Sequence, residues 1–492
     1  MLLEMTAGAA PDRVLVGSRE GGLTADALMA RSRRAAARFS AAGVERVGLV
    51  DLNSEAVPIC LFGAALAGLP FAPVNYRLTD EQLDAILRRL APGLVVVGPE
   101  VASRIGSIDG LEAMTRDELL AAVADGDADV ELPFVDPEEI AILLFTSGTT
   151  GEPKAAVLRH RHLAQYIIGS VEFLGADEDE AQLVSVPSYH VAGVSTILTS
   201  VYAGRRIVYL PDFDAKEWVR AAAGEAITQA MVVPTMLGRV LGCLDEEDVE
   251  LGSLRLLSYG GGPMPAELIE RCMERLPAVD YVNAYGLTET SSTISVLTPE
   301  DHRKAIESDD PVVRRRLGSV GRPLPSVEVE IRGADGEVLG PGERGEIYVR
   351  GEQVAGEYLG RSVLTDDGWF PTNDAGWVDD EGFLFLDGRL DDVIVRGGEN
   401  LSPGEIEETL LAHSAVAEAA VVGIPDPEWG EGVAAAVVLA PGEQVSEDDL
   451  QDWVRERLRS TKTPQVIQFR EEMPYNEMGK LLRRTIRDEL SA

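Results

Sequence analysis

Phe145-Thr146-Ser147-Gly148-Thr149-Thr150-Gly151-Glu152-Pro153-Lys154-Ala155 is the stretch that decides how the rest of the chain is read. It follows an apolar run, Ile140-Ala141-Ile142-Leu143-Leu144-Phe145, which has the length and composition of a buried strand. Gly148 and Gly151 allow backbone conformations closed to other residues. The hydroxyls of Thr146, Ser147, Thr149 and Thr150 can donate to anionic oxygens. Successive N–H groups in such a turn can form an anion-binding nest, and Lys154 adds a positive charge. Together they read as a loop holding a polyphosphate at the end of a sheet. It is not a Walker A loop, which needs Gly-Lys followed by Ser or Thr; Glu152-Pro153 separate Gly151 from Lys154. A polar surface loop is the competing reading, and the hydroxyl density after a strand tells against it.

Upstream, strand-like and helix-like segments alternate. Val47–Val50, Phe71–Val74 and Leu94–Gly98 read as strands. Helices start at Thr24, Asn53 and Thr79, the first ending at Gly43. This alternation argues for βαβ units and a mostly parallel sheet. Downstream, three strand-like runs each end in a Gly-rich or polar turn: Ser188-Tyr189-His190-Val191-Ala192-Gly193, Gly260-Gly261-Gly262-Pro263 and Tyr285-Gly286-Leu287-Thr288-Glu289. Ligands of open α/β sheets bind outside the carboxyl ends of strands, so the three turns are expected to converge on one site.

After about residue 318 short alternating strands broken by Gly and Pro suggest a small β subdomain. Beyond Asp391 the pattern becomes a compact α+β unit. There Ser402-Pro403-Gly404-Glu405 has the form of a capping box with proline at the first helical position. The chain has 492 residues, too many for one ordinary core. Its net charge of −39 disfavours nucleic acid and anionic membranes as partners. An anionic substrate must therefore meet locally placed positive groups. Cys60, Cys243 and Cys272 show neither metal spacing nor a disulfide framework, which points to a reducing cytoplasm. No signal peptide is read at the N-terminus. The uncharged runs Ala56 to Tyr76 and Ala181 to Gly204 are interrupted by prolines, glycines or polar residues and are expected as buried helices and strands.

These motifs, in this order and over essentially the whole chain, resemble the adenylate-forming superfamily of acyl- and aryl-CoA synthetases, peptide-synthetase adenylation domains and luciferases. Thr146–Lys154 is similar to the family's phosphate loop, and Tyr285-Gly286-Leu287-Thr288-Glu289 to its second core motif. Asp367-Gly368-Trp369-Phe370-Pro371-Thr372-Asn373-Asp374 resembles the ribose-binding segment, with Asn373 where glycine is usual. Gly388-Arg389, Gly397-Gly398 and Gly479-Lys480 resemble the hinge, the hairpin beyond it and the C-terminal catalytic lysine. The resemblance implies an α/β protein. Its large N-terminal domain, 1–390, has mixed and parallel sheets flanked by helices and includes the β subdomain from about 318. A small mobile α+β domain, 391–492, carries the catalytic lysine.

The resemblance also implies roles. Thr146, Ser147, Gly148, Thr149, Thr150, Gly151 and Lys154 would clamp the phosphates of ATP. Gly260, Gly261, Gly262, Asn283, Tyr285 and Gly286 would bind ATP or AMP, with Tyr285 and Gly260–Gly262 on either side of the adenine, and Asp374 with Arg389 would hold the ribose. Thr288 would bond the α-phosphate, Glu289 would hold Mg²⁺, and Lys480 would bridge the acid and the α-phosphate. His190, Val191, Ala192, Gly193 and Ala284 would line the acyl pocket. Gly397, Gly398, Trp429 and Lys462 would line the coenzyme A tunnel, and Asp391 would be the hinge. The implied activity is ATP-dependent ligation of a carboxylic acid to coenzyme A through an acyl-adenylate, in the cytoplasm and without an integral membrane segment. A carrier protein is the alternative acceptor, because basic residues are sparse around Lys462. A nucleotide-binding relative without turnover is the other alternative, and the intact Glu289, Asp374, Arg389 and Lys480 set tells against it. A homodimer is compatible with the reading. The acid is expected to be apolar, whether fatty, alicyclic or aromatic. No acidic residue stands near Tyr189-His190 to pair with an amino acid's amine.

Overall fold

A computed structural model describes residues 1–127, 131–146, 153–246, 249–396, 399–427, 429–475 and 481–491. The chain divides into two compact units. The first holds Met1–Leu317, Leu324–Glu328 and Arg350–Phe370; the second holds Gly318–Pro323, Val329–Val349 and Pro371–Ala492. The expected domain break at 390/391 falls within the second unit, on the 3-10 turn Leu390–Asp392.

The first unit contains two sheets. In one, the strands Phe71–Pro73, Arg46–Val50, Gly93–Val97 and Leu111–Thr115 run parallel, and Ile140–Thr146 joins parallel beside Phe71–Pro73. Lys154–Arg159 returns antiparallel along Ile140–Thr146, with Thr146 opposite Lys154. In the other sheet, Asp280–Leu287, Leu256–Gly260, Gln229–Val232, Ala181–Val184 and Arg206–Tyr209 lie side by side and parallel. Both sheets and the helices Ala25–Ala41, Ala56–Leu66 and Val191–Ala203 contribute to one core cluster, including Leu28, Phe39, Ile59, Phe71, Ile142, Val184, Ile197 and Ile207. Residues Ala56–Ala64 are buried all round, as expected of an apolar helix inside a protein. Among the described residues no helix is long and apolar enough to cross a membrane. The first uncharged run is this buried helix followed by the strand Phe71–Pro73, and the second is Ala181–Val184 followed by Val191–Ala203.

Two of the three upstream start signals hold; the helix expected from Asn53 begins at Ala56, and Asn53 instead accepts from Ser188 N at 3.2 Å and donates to Val186 O at 3.3 Å. Thr24 caps Ala25–Ala41 by accepting from Ala27 N at 3.1 Å, and Thr79 and Gln82 form a reciprocal capping box. Ser402 departs from its expectation. It occupies the N-cap of Pro403–Leu411 without a side-chain cap bond. Its hydroxyl donates instead to the Asp387 carbonyl at 3.0 Å. Glu405 pairs with Lys462 at 2.5 Å rather than reaching back to the cap, because an ammonium is a stronger partner than a neutral N–H.

Among the described residues two further sheets lie mainly in the second unit. Val327–Arg332, Gly345–Gly351, Phe370–Val378 and Leu384–Arg389 are neighbours in the smaller one. Trp377 and Phe385 face each other across it, stacked with centroids 4.1 Å apart. In the other, Gly430–Leu439 pairs antiparallel with Val416–Asp426 and parallel with Val466–Arg470. Val433, Ala435 and Val437 face one cluster with Ile406, Leu410, Leu450 and Val454; Ala434 and Ala436 face another with Met473 and Ile486. A strand buried on both faces reads as a continuous apolar run, as this one does.

His162 lies in the first turn of the helix His160–Ser170, which follows Lys154–Arg159. It is 1% exposed, and its Nδ1 accepts from Arg159 N at 3.3 Å. Nε2 finds no partner among the described residues. Burial first, and then the charges of Arg161 and Arg159, lower its pKa to about 4. The unfolded chain therefore takes up this proton near pH 6.5, well before the folded one does. Stability from this group is complete above about 6.5 and is lost as pH falls toward 4, by on the order of 2–3 kcal/mol. His162→Gln keeps an acceptor at the third helical position without titrating. Its urea midpoint should fall less than that of the wild type between pH 7 and pH 4.5; parallel slopes would refute the assignment.

Candidate functional site

The parallel register of the second sheet brings three predicted turns to one edge. Val232 is opposite Tyr259, Tyr259 opposite Asn283, and Gly260 opposite Ala284. Ala181–Val184 runs in the same direction beside Gln229–Val232. Backbones approach closely here. A Cβ on Gly260 would lie 2.2 Å from Ala284 O, one on Gly286 1.9 Å from Ser292 O, and one on Gly193 2.4 Å from Pro187 O. The absence of side chains at these three positions thus serves the packing of strand and helix ends first.

At the end of Asp280–Leu287 the chain enters a 3-10 turn, Thr288–Thr290. Ser291 and Ser292 follow at φ 58° and 119°, a region that residues with a Cβ adopt at a cost and that is concentrated at functional sites. The turn is held from several sides. Thr290 Oγ1 accepts from Leu287 N at 3.0 Å and donates to Ser292 O at 2.7 Å. Gln353 Nε2 donates to Thr290 O at 3.2 Å and Thr293 O at 2.8 Å. Ala355 N and Gly356 N both donate to Glu289 O, at 2.8 and 3.0 Å. The Glu289 side chain is buried, and the Tyr358 hydroxyl donates to its Oε1. Among the described residues no group of three or more His, Cys, Asp or Glu gathers as a metal cage. Mg²⁺ commonly takes one or two carboxylates and completes its shell with phosphate oxygens and water, so a lone Glu289 carboxylate fits that ion.

Tyr285 is almost fully buried and Asn283 is 8% exposed; Thr288 is half-buried. His190 stands at the N-cap of Val191–Ala203, its ring 4.6 Å from that of Tyr189. Burial pushes its pKa down to about 4, so the ring is neutral at pH 7. Of the expected phosphate loop, Thr146 and Lys154 are described: Thr146 Oγ1 donates to Lys154 O at 3.4 Å, and Lys154 Nζ lies 5.7 Å from the centre of the Tyr358 ring. Ser147, Gly148, Thr149, Thr150 and Gly151 lie outside the described residues, as do Gly397, Gly398 and Lys480.

In the second unit Asp374 and Arg389 are partners across the strand pair, with Arg389 Nε 3.1 Å from Asp374 Oδ1. Arg389 also donates to Thr372 O at 3.0 Å, and Thr372 Oγ1 donates to Ile347 O at 2.8 Å. The small sheet thereby holds Asp374 in place as a buried residue. Asn373, between them, has φ 61°. Asparagine is among the few residues with a Cβ that visit this region, which explains how it stands where the resembling motif has glycine. Its Nδ2 donates to Asp391 Oδ2 at 2.8 Å. Lys462 is paired with Glu405, and Trp429 is exposed, its backbone N–H donating to Asp426 Oδ1 at 2.9 Å.

Sequence reasoning did not find Gln353, Tyr358 or the Asn373–Asp391 bond. Gln353 and Tyr358 reach the Glu289 turn from more than sixty residues away, and only strand pairing reveals that. The Asn373 bond was foreshadowed by the departure from glycine.

Comparison with known proteins adds an independent finding. Residues 3–359 match the AMP-binding enzyme family and residues 405–480 the AMP-binding enzyme C-terminal domain. Feruloyl-CoA synthase of Amycolatopsis sp is 34% identical over 481 residues, 95% of this chain and 94% of that protein. The 2-succinylbenzoate–CoA ligase of Bacillus licheniformis is 34% identical over 492 residues, 98% of each chain. Among solved structures, o-succinylbenzoate CoA synthetase from Bacillus subtilis, in complex with the acyl-adenylate intermediate OSB-AMP, aligns with a TM-score of 0.83 at 30% identity, over 99% of this chain and 98% of that one. ATP-bound MatB from Rhodopseudomonas palustris aligns with a TM-score of 0.86 at 27% identity, over 100% and 99%.

The geometry at residue 373 predicts a specific pattern. Asn373→Gly should change folding stability by less than about 1 kcal/mol, whereas Asn373→Val should cost about 2 kcal/mol, because a β-branched residue resists the left-handed region. Equal denaturation midpoints for the two variants would contradict it.

Proposed function

This chain belongs to the AMP-binding enzyme family, and from that premise we propose that it is an ATP-dependent carboxylic acid–CoA ligase acting on an apolar, most naturally aromatic, acid. The observation that carries the proposal is the turn at the end of Asp280–Leu287, where a buried carboxylate, Glu289, is fixed beside Tyr285 and Thr288. A carboxylate is a poor electrophile. Its oxygen bonds to the α-phosphorus of ATP as the bond to pyrophosphate breaks, giving an acyl-adenylate. A thiol then forms the C–S bond as the C–O bond to AMP breaks, and the thiol proton passes to solvent. The protein contributes position and charge rather than covalent chemistry.

In this reading Mg²⁺ neutralises phosphate charge when bound, and Glu289 is the residue that holds it. Thr146, Lys154 and the intervening loop grip the leaving pyrophosphate, and Thr288 donates to the α-phosphate. Tyr285 offers a flat face to adenine, while Asp374, oriented by Arg389, accepts the ribose hydroxyls. Lys480 offsets the charge that builds as the carboxylate meets the α-phosphate. The domain after 390 turns about Asp391 between the half-reactions, bringing Gly397, Gly398 and Trp429 to the pantetheine arm. Cytoplasmic location, free coenzyme A as the acceptor and the homodimer remain parts of this proposal. A carrier-protein acceptor is the second reading, favoured by the engagement of Lys462 with Glu405.

The apolar acid follows from charge. Val186–Gly204 contains no Asp, Glu, Lys or Arg, and His190 stays neutral above about pH 4. A pocket lined by His190, Val191, Ala192, Gly193 and Ala284 offers no cation to a second carboxylate. Two of the relatives bear on this choice in opposite ways, one being named for feruloyl and one for 2-succinylbenzoate. The charge argument favours the first.

Acid-dependent ATP–pyrophosphate exchange tests the reading directly. Cinnamate-type monocarboxylic acids should support at least about tenfold higher kcat/KM than 2-succinylbenzoate, since an unpaired buried carboxylate is costly; the reverse order would overturn the substrate proposal. Lys480→Ala should lower exchange by at least about a hundredfold yet leave thioester formation from supplied acyl-adenylate within about threefold. Exchange within a few-fold of wild type would remove Lys480 from the chemistry. Asp391→Pro, by fixing φ, should impair one half-reaction much more than the other, and equal loss of both would argue against a hinge.

A further inference from the structure

Glu289 is clasped by one short segment of distant sequence. Ala355 N and Gly356 N bond its carbonyl, and two residues on, Tyr358 bonds its side chain. Tyr358 belongs to the two-residue strand Glu357–Tyr358, which pairs with Lys154–Arg159, Tyr358 opposite Ala156. The neighbouring residue anchors that strand. Glu357 receives two hydrogen bonds from Arg159, Nε to Oε2 at 2.8 Å and Nη2 to Oε1 at 2.7 Å. The strand is thus fixed by an ion pair, and its next side chain is aimed at Glu289.

The Tyr358 hydroxyl occupies Oε1 of the carboxylate; among the described residues Oε2 takes no hydrogen bond. A buried glutamate has three side-chain torsions, and a donor on one oxygen removes most of that freedom. The same ring lies within cation–π range of the ammonium of Lys154, 5.7 Å from its centroid, at the return of the phosphate loop. One side chain therefore touches both a carboxylate suited to a hard cation and a lysine suited to a phosphate.

We propose that Tyr358 is a positioning residue for the metal–triphosphate complex: its hydroxyl fixes Glu289 so that Oε2 faces the divalent cation, and its ring steadies Lys154. This rests on the reading of Glu289 as the Mg²⁺ residue. Partners that orient a metal-binding side chain commonly govern affinity by about tenfold or more, and the effect falls on metal binding rather than on the acyl group.

The test uses the full chain with Mn²⁺ as probe, titrated by electron paramagnetic resonance in the presence of a non-hydrolysable ATP analogue. Tyr358→Phe retains the ring and removes the hydroxyl. It should raise the Mn²⁺ dissociation constant about tenfold and raise half-saturating Mg²⁺ in pyrophosphate exchange by a similar factor. The KM for the carboxylic acid at saturating Mg²⁺ should stay within about threefold of wild type, because the hydroxyl acts on the metal and not on the acyl group. Arg159→Gln, which loosens the strand that carries Tyr358, should lower the thermal midpoint and weaken Mn²⁺ binding in the same direction, by less than Tyr358→Phe does. Glu289→Gln separates the two readings. If it weakens Mn²⁺ binding and Tyr358→Phe does not, the inference about Tyr358 is wrong while the assignment of Glu289 stands. If Glu289→Gln leaves Mn²⁺ binding unchanged, both are overturned.

Discussion

No side chain fits between the ends of the strands Leu256–Gly260 and Asp280–Leu287. The Gly260 Cα faces the Ala284 carbonyl so closely that an added carbon would lie 2.2 Å from it, and Gly286 meets Ser292 O more closely still. These contacts let Asp280–Leu287 run parallel beside Leu256–Gly260 and then fold back against Ser292–Leu297, with a register shift at Tyr285/Gly286. The shift and the positive φ angles at Ser291 and Ser292 force the intervening residues into a tight turn. Glu289 sits at the centre of that turn. Its burial is a consequence of backbone packing, and its remaining polar needs are met from Ala355, Gly356 and Tyr358.

A chain of net charge −39 that handles polyphosphates must solve an electrostatic problem. It does so by pairing positive groups tightly where they stand. Arg389 is held by Asp374 and the Thr372 carbonyl, Arg159 by Glu357, and Lys462 by Glu405. Such pairs orient planar or point donors without leaving a large standing positive field. Lys154, by contrast, is exposed and meets an aromatic face.

The parts of this protein that could be read from its residues are those governed by local chemistry. Strands ending in glycine-rich turns and the buried uncharged runs follow from periodicity and turn residues. Asp374 and Arg389 were legible as motif members, and their register partnership shows why both are present in that spacing. What could not be read is what depends on pairing between distant segments. Glu357–Tyr358 is two residues long, has no periodicity of its own, and acquires meaning through its place beside Lys154–Arg159. Ser402 illustrates the converse: its local pattern is that of a cap, and a long-range acceptor, Asp387 O, takes the hydroxyl instead.

Asn373 joins these two kinds of information. A glycine there would satisfy the backbone, since φ is 61°. Asparagine satisfies it too, at some cost, and adds a donor that a glycine lacks. That donor reaches Asp391, so one residue links the strand holding Asp374 to the 3-10 turn beyond Arg389. Two residues of the segment, Asp374 and Asn373, therefore serve different ends: the carboxylate is fixed by Arg389, and the amide ties down the turn. A departure from a family pattern becomes intelligible here because the backbone angle tolerates the new side chain and the neighbouring turn supplies it with a partner.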